Sequence, residues 1–172
     1  MPEPPLESPM PLDKTHLTAD FHCGADELDD WLHRYAWVNH CSGNARVFVT
    51  ARARRVVGYY ALATAGVERR EAPEQLVKGG VPTQVPCLLL ARLAVDLKEQ
   101  NRKLGRALLV DAIRRAVRVS NDIGIRALLI HARDEKARSF YEHQGEFLQS
   151  PSDPLHLFLP LKYARSLIEP GL

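Results

Sequence analysis

From Ala25 to Cys41 the apolar residues Leu28, Trp31, Leu32, Tyr35 and Ala36 recur at three- and four-residue steps. That spacing predicts one amphipathic helix with these side chains on its buried face, capped by Asp26 or a neighbour. Arg46–Arg52 and Val56–Ala63 read as two strands joined by a short arginine-rich turn. Residues 66–86 hold three glycines and three prolines, which predicts a loop with a short helical piece. Val85–Val95 is a nearly continuous apolar run, as in a central strand covered on both faces. Leu104, Leu108, Leu109, Ala112, Ile113, Ala116 and Val117 mark a long helix. Ala127–His131 is a further strand, Asp134 caps a helix carrying Ala137, Phe140 and Tyr141 with Gly145 as its stop, and Leu155–Leu161 is a last strand. This order predicts a mixed α/β layer fold.

Composition supports a single domain. The chain has 172 residues, 45% hydrophobic and 26% charged, enough to bury a core without metal or disulfide. Five of its twelve prolines fall in residues 1–11, so these are expected to be a disordered tail. The domain then covers 12–163, with a C-terminal tail over 164–172. No apolar run approaches the roughly 18 residues of a spanning helix, and the start lacks the basic and apolar regions of a signal peptide. A cytoplasmic protein with no membrane contact is expected.

Three cysteines without a CxxC pair fit a reducing compartment. The dipeptides His22-Cys23 and His40-Cys41 invite a zinc reading. A helix between them holds the two pairs roughly 20 Å apart, too far for one ion, and no metal is expected. Charge is uneven: residues 1–30 carry eight acids and one base, leaving 22 bases against 13 acids in the rest. A basic body of this kind attracts polyanions such as nucleotides or RNA, although a solvated basic surface has the same composition.

The most informative stretch is the strand ending at Val95 and the loop that feeds the long helix. A helix N-terminus presents unpaired amides and a positive dipole end, which suits a pyrophosphate. Gln100-Asn-Arg-Lys-Leu-Gly-Arg-Ala107 adds Arg102, Lys103 and Arg106 to those amides. Neither GxxxxGK[ST] nor GxGxxG is present. Tyr141, taken alone, reads first as a core aromatic on a helix face.

At Leu89-Leu-Ala-Arg-Leu-Ala-Val-Asp96, Gln100–Leu109, Ala137-Arg-Ser-Phe-Tyr-Glu142 and Ser150-Pro-Ser-Asp-Pro154 the sequence resembles the GNAT acetyltransferase superfamily. Phe21-His-Cys-Gly24, Leu28-Asp-Asp-Trp-Leu32 and Gly58-Tyr-Tyr-Ala-Leu62 are most similar to its toxin subgroup, which acetylates aminoacyl-tRNA. The resemblance implies a single GNAT-like domain: a mostly antiparallel central sheet with a splayed central pair and helices on both faces. It implies acetyl-CoA as co-substrate, with Leu93, Ala94 and Val95 pairing to the pantetheine arm. Gln100, Asn101, Arg102, Lys103, Leu104, Gly105, Arg106 and Ala107 would cradle the pyrophosphate, and Tyr141 would protonate the departing thiolate. A homodimer and a ribbon-helix-helix antitoxin are the implied partners. Arg46, Arg52, Arg92 and Arg115 are candidate RNA contacts.

Two departures stand out. Lys103 occupies the central glycine position of the family loop, where glycine serves positive φ or close phosphate approach. Glu146 is inserted in Gln144-Gly-Glu-Phe147, where a Gly-Phe pair is usual. The altered loop keeps a degenerate, non-catalytic binding module open as an alternative, beside acetylation of a small amine or a protein N-terminus.

Overall fold

The computed structural model describes residues 2–168. Its elements are β1 (Met10–Pro11), α1 (Asp26–Asp30), a π-helical turn (Trp31–Tyr35), α2 (Ala36–Ser42), β2 (Arg46–Arg52), β3 (Arg55–Glu68), α3 (Glu74–Val77), β4 (Gln84–Val95), α4 (Leu104–Val119), β5 (Ala127–His131), α5 (Glu135–Glu142), β6 (Leu148–Gln149), β7 (His156–Pro160) and α6 (Leu161–Ile168). The seven strands hydrogen-bond in the order β1-β2-β3-β4-β5-β7-β6. The chain forms two compact units, Met1–Ala63 with Ala91–Asp111 and Thr64–Leu90 with Ala112–Leu172, and β3, β4 and α4 each run through both.

In the first unit β2 and β3 form an antiparallel hairpin from Arg46↔Leu62 to Arg52↔Arg55. Its two-residue turn has Ala53 and Arg54 at φ of 48° and 68°, a mirror-image turn whose twist matches that of the strands. Phe21, Leu32, Ala36, Val47, Val49 and Tyr59 make the core here. Tyr59 donates to the Leu28 carbonyl at 2.6 Å and stacks on Trp31. Gly58 marks where α4 lies on the hairpin: a Cβ there would come within 3.0 Å of Leu108 and Thr50.

Two expectations are corrected in this unit. Residues 2–11 are a strap, not a disordered tail. β1 pairs with β2, Glu7 N–H donates to the Ala51 carbonyl, and the Pro4 carbonyl accepts from Arg52. A run rich in proline donates few amides, so it suits the edge of a sheet. The single helix over Ala25–Cys41 is interrupted by the π turn, whose extra residue per turn rotates the apolar stripe. Leu32 and Ala36 stay buried, while Tyr35 swings out to 49% exposure. Ala25, not Asp26, stands at the N-cap, with no side-chain cap.

In the second unit Cys87–Leu90 of β4 pairs in parallel with Ala127–Ile130, and β5 pairs antiparallel with β7. Beyond Leu90 the β4 strand continues to Val95. Val67, Leu76, Val85, Leu129 and Phe158 form the core. Asp134 caps α5 as expected, its carboxylate accepting from Ala137 N–H at 2.8 Å. The helix ends one turn earlier than Gly145, with His143 at its C-cap. Part of the expected 66–86 loop is strand, because β3 runs to Glu68. Residues 164–168 of the expected tail lie in α6, and 169–172 lie outside the described residues. All seven residues of the predicted α4 stripe are buried.

Candidate active site

The loop between β4 and α4 is built from its acids. Asp96 is buried and accepts from His22 N–H at 3.1 Å and Lys98 N–H at 2.9 Å, while its own N–H donates to the Val57 carbonyl. A short 3-10 turn over Leu97–Glu99 follows. Gln100 then donates its side-chain amide to the carbonyls of Val95 and Cys23, each at 2.9 Å, which ties the loop to the strand end. Glu99 has a side chain only 5% exposed and meets Arg52 at 2.7 Å.

The loop proper turns on two left-handed residues, Asn101 at φ 66° and Lys103 at φ 64°. Asparagine adopts that region readily; lysine does so at a cost of about 1–2 kcal/mol. Lys103 therefore takes the backbone conformation for which glycine is usual, and the loop shape survives the substitution. α4 starts at Leu104 and runs for 16 residues, so the first-turn amides and the positive dipole end face out of the loop. Lys103 is exposed and has no ion-pair partner among the described residues. Arg102 is shared between Glu99 and Glu3 at 3.4 and 3.3 Å. Left-handed loop amides, a helix N-terminus and a free ammonium are the donor set that a pyrophosphate requires, so these residues fit the phosphates of acetyl-CoA.

Tyr141 sits in the second unit on α5. Its side chain is 7% exposed and packed edge-on against Phe140 and Phe147, with ring centroids 5.2 and 6.4 Å away. Burial pushes the phenol above its usual value, with no compensating charge. The group is therefore a phenol at neutral pH, able to give a proton and poorly able to take one.

The candidate RNA contacts diverge in character. Arg46 is exposed and donates to the His40 carbonyl at 2.6 Å. Arg92 lies over the Trp31 ring, 4.4 Å from its centroid. Arg115 is half-buried on α4. Arg52 is corrected: its side chain is 14% exposed and held by Glu99 and the Pro4 carbonyl, so it serves the interior. Sequence reasoning missed Glu99, because its partner lies 47 positions away and no local pattern marks the pair. Among the described residues no three His, Cys, Asp or Glu side chains are grouped to hold a metal ion, and no helix is long and apolar enough to cross a membrane.

Strand, loop and helix in this order suit a phosphate-bearing co-substrate, and the family model for the acetyltransferase (GNAT) domain, an acyl-CoA-dependent transferase, matches residues 43–145. The chain belongs to the GNAT acetyltransferase family, whose co-substrate is acetyl-CoA. It is 51% identical over 148 residues to a tRNA-acetylating toxin of Mycobacterium tuberculosis, covering 86% of this chain and 88% of that protein. Among solved structures, AtaT complexed with acetyl-methionyl-tRNAfMet matches with a TM-score of 0.85 at 28% identity, covering 92% of this chain and 96% of AtaT. A tyrosine-to-phenylalanine mutant of AtaT, bound to acetyl-CoA and the C-terminus of the antitoxin AtaR, matches at 0.81 and 26% identity, covering 95% and 97%.

Proposed function

We propose that this protein is a cytoplasmic toxin that transfers the acetyl group of acetyl-CoA to the amino group of an aminoacyl-tRNA. The observation that carries this is the 51% identity to a tRNA-acetylating toxin over 86% of the chain. The preserved left-handed geometry of the loop at Asn101 and Lys103 supports an active enzyme over a degenerate binding module. The AtaT complex with the C-terminus of the antitoxin AtaR supports an antitoxin partner, and a homodimer silenced by a ribbon-helix-helix antitoxin is the assembly we assign.

Acetyl-CoA supplies an acyl group activated as a thioester. The amides of residues 101–106 would hold its pyrophosphate, with the Lys103 ammonium adding charge, while the Ala107 N–H is taken by the Lys103 carbonyl at 3.1 Å; the backbone of Leu93, Ala94 and Val95 would pair with the pantetheine arm. The N–H of Val95 donates to the oxygen that becomes negative when the amine attacks the carbonyl carbon. Tyr141 gives its phenolic proton to the thiolate sulfur as the carbon–sulfur bond breaks. The amine loses one proton as the amide forms, which restores the phenol. Burial keeps the Tyr141 phenol protonated, so the proton is in place when the thiolate forms. Arg46, Arg92 and Arg115 are assigned to RNA phosphates.

The test is transfer of radiolabelled acetyl from acetyl-CoA to a panel of aminoacyl-tRNAs. Acetyl-aminoacyl-tRNA as product, with KM rising steeply between about 50 and 200 mM salt, is expected. Efficient acetylation of free amines or peptide N-termini in place of tRNA overturns the substrate assignment.

A further inference from the structure

Several arginines are neutralised within the protein: Arg34 pairs with Asp30, Arg54 with Asp13, Arg70 with Glu68, and Arg138 with Glu135 and Glu142. Arg114 and Arg118 differ. Both are exposed on α4, one helical turn apart, and neither has an ion-pair partner among the described residues. They line an open cleft of about 390 Å³ with Val117, Asn121, Arg165 and Ile168, and none of these lining residues is acidic. Arg165, from α6, is turned across the end of α4, where its guanidinium donates to Asn121 Oδ1 at 3.2 Å and Ser120 Oγ at 3.4 Å.

Three cations around one cleft oppose each other. Like charges four residues apart on a helix destabilise it, and Arg165 adds a third. Arg165 is the one of the three positioned by neutral acceptors, so its charge is oriented without being cancelled. Solvated helix arginines need no convergence from a second helix; an anion site does. Guanidinium groups bind phosphate through paired parallel N–H donors. The cleft is open and spans more than one turn of α4, which fits successive phosphates of a strand better than a single enclosed ion.

We infer that the cleft between α4 and α6, with Arg114, Arg118 and Arg165, is a docking surface for the phosphate backbone of the tRNA substrate. The inference rests on the aminoacyl-tRNA reading and gives it a surface none of the candidate contacts of the sequence includes.

The test compares the full-length protein with an Arg114→Gln/Arg118→Gln double variant and a double lysine variant at the same positions. Fluorescence anisotropy with uncharged tRNA is read across about 50–200 mM salt, with the acetyl-CoA Kd measured calorimetrically on each protein. The glutamine variant is expected to bind tRNA at least tenfold more weakly, with the log–log salt slope reduced by about one for each cation removed. Its acetyl-CoA affinity stays unchanged, and the lysine variant recovers the slope. Equal tRNA affinity and slope in wild type and glutamine variant overturn the docking surface while leaving the substrate reading standing. A wild-type protein that neither binds nor acetylates tRNA overturns both.

Discussion

Arg52 and Glu99, 47 residues apart in sequence, meet at 2.7 Å with side chains 14% and 5% exposed. The pair joins the hairpin of β2 and β3 to the turn just ahead of the phosphate loop. Removing the carboxylate leaves a guanidinium with little access to water, and breaking such a pair from one side is strongly destabilising. Glu99→Ala is expected to lower unfolding stability by about 3 kcal/mol and to weaken acetyl-CoA binding, as read by urea melts and calorimetry. A variant with wild-type stability would show that Arg52 finds its partner elsewhere.

Lys103 carries a left-handed backbone that glycine adopts freely. Lys103→Gly is therefore expected to leave the protein as stable or more stable by up to about 1 kcal/mol. Lys103→Val, β-branched in the same conformation, is expected to destabilise it and to weaken acetyl-CoA binding. The two variants lose the same charge, so a difference between them isolates backbone strain from phosphate attraction. Equal behaviour of both in thermal melts and titrations removes the conformational argument.

Tyr141→Phe keeps the ring that packs on Phe140 and Phe147 and removes only the hydroxyl. Turnover should fall by about 10²–10⁴-fold, the usual worth of a positioned proton donor, with acetyl-CoA affinity nearly unchanged. Because burial holds the phenol above its ordinary value, the rate should show no loss of this acid below about pH 10. Turnover equal to wild type in the phenylalanine variant removes Tyr141 from the mechanism.

Acid should loosen the fold through its packed histidines. Burial holds the imidazoles of His16 and His40 below the usual value. His16 and His40 also accept backbone N–H donors from Asp13 and Val47 at Nδ1, both at 3.0 Å, which a proton there would break. The unfolded chain binds these protons more readily, so stability is full above about pH 6.5 and is lost as pH falls from there through the folded-state values. The urea midpoint is expected to drop between about pH 7 and 5. A midpoint independent of pH over that range excludes these histidines as acid-sensitive groups.

The local readings held where a pattern repeats within one element. The α4 stripe from Leu104 to Val117, the Asp134 cap and the strand at Ala127–His131 depend on periodicity or on hydrogen bonds a few residues long, and each stands in the fold as read. The start of α4 at Leu104 and the place of Tyr141 on α5 were legible for the same reason. What the chain alone did not disclose depends on partners far off in sequence. The proline-rich start becomes a strap because the open edge of β2 accepts it. Tyr35 leaves the core because one π turn rotates the helix face beneath it. Arg52 is drawn inside by Glu99, and Arg114, Arg118 and Arg165 gather only because α6 folds back on α4. Spacing along the chain sets periodicity and local hydrogen bonds; which charge is neutralised, and which is left facing a cleft, is decided by whatever segment tertiary packing brings within a few ångströms.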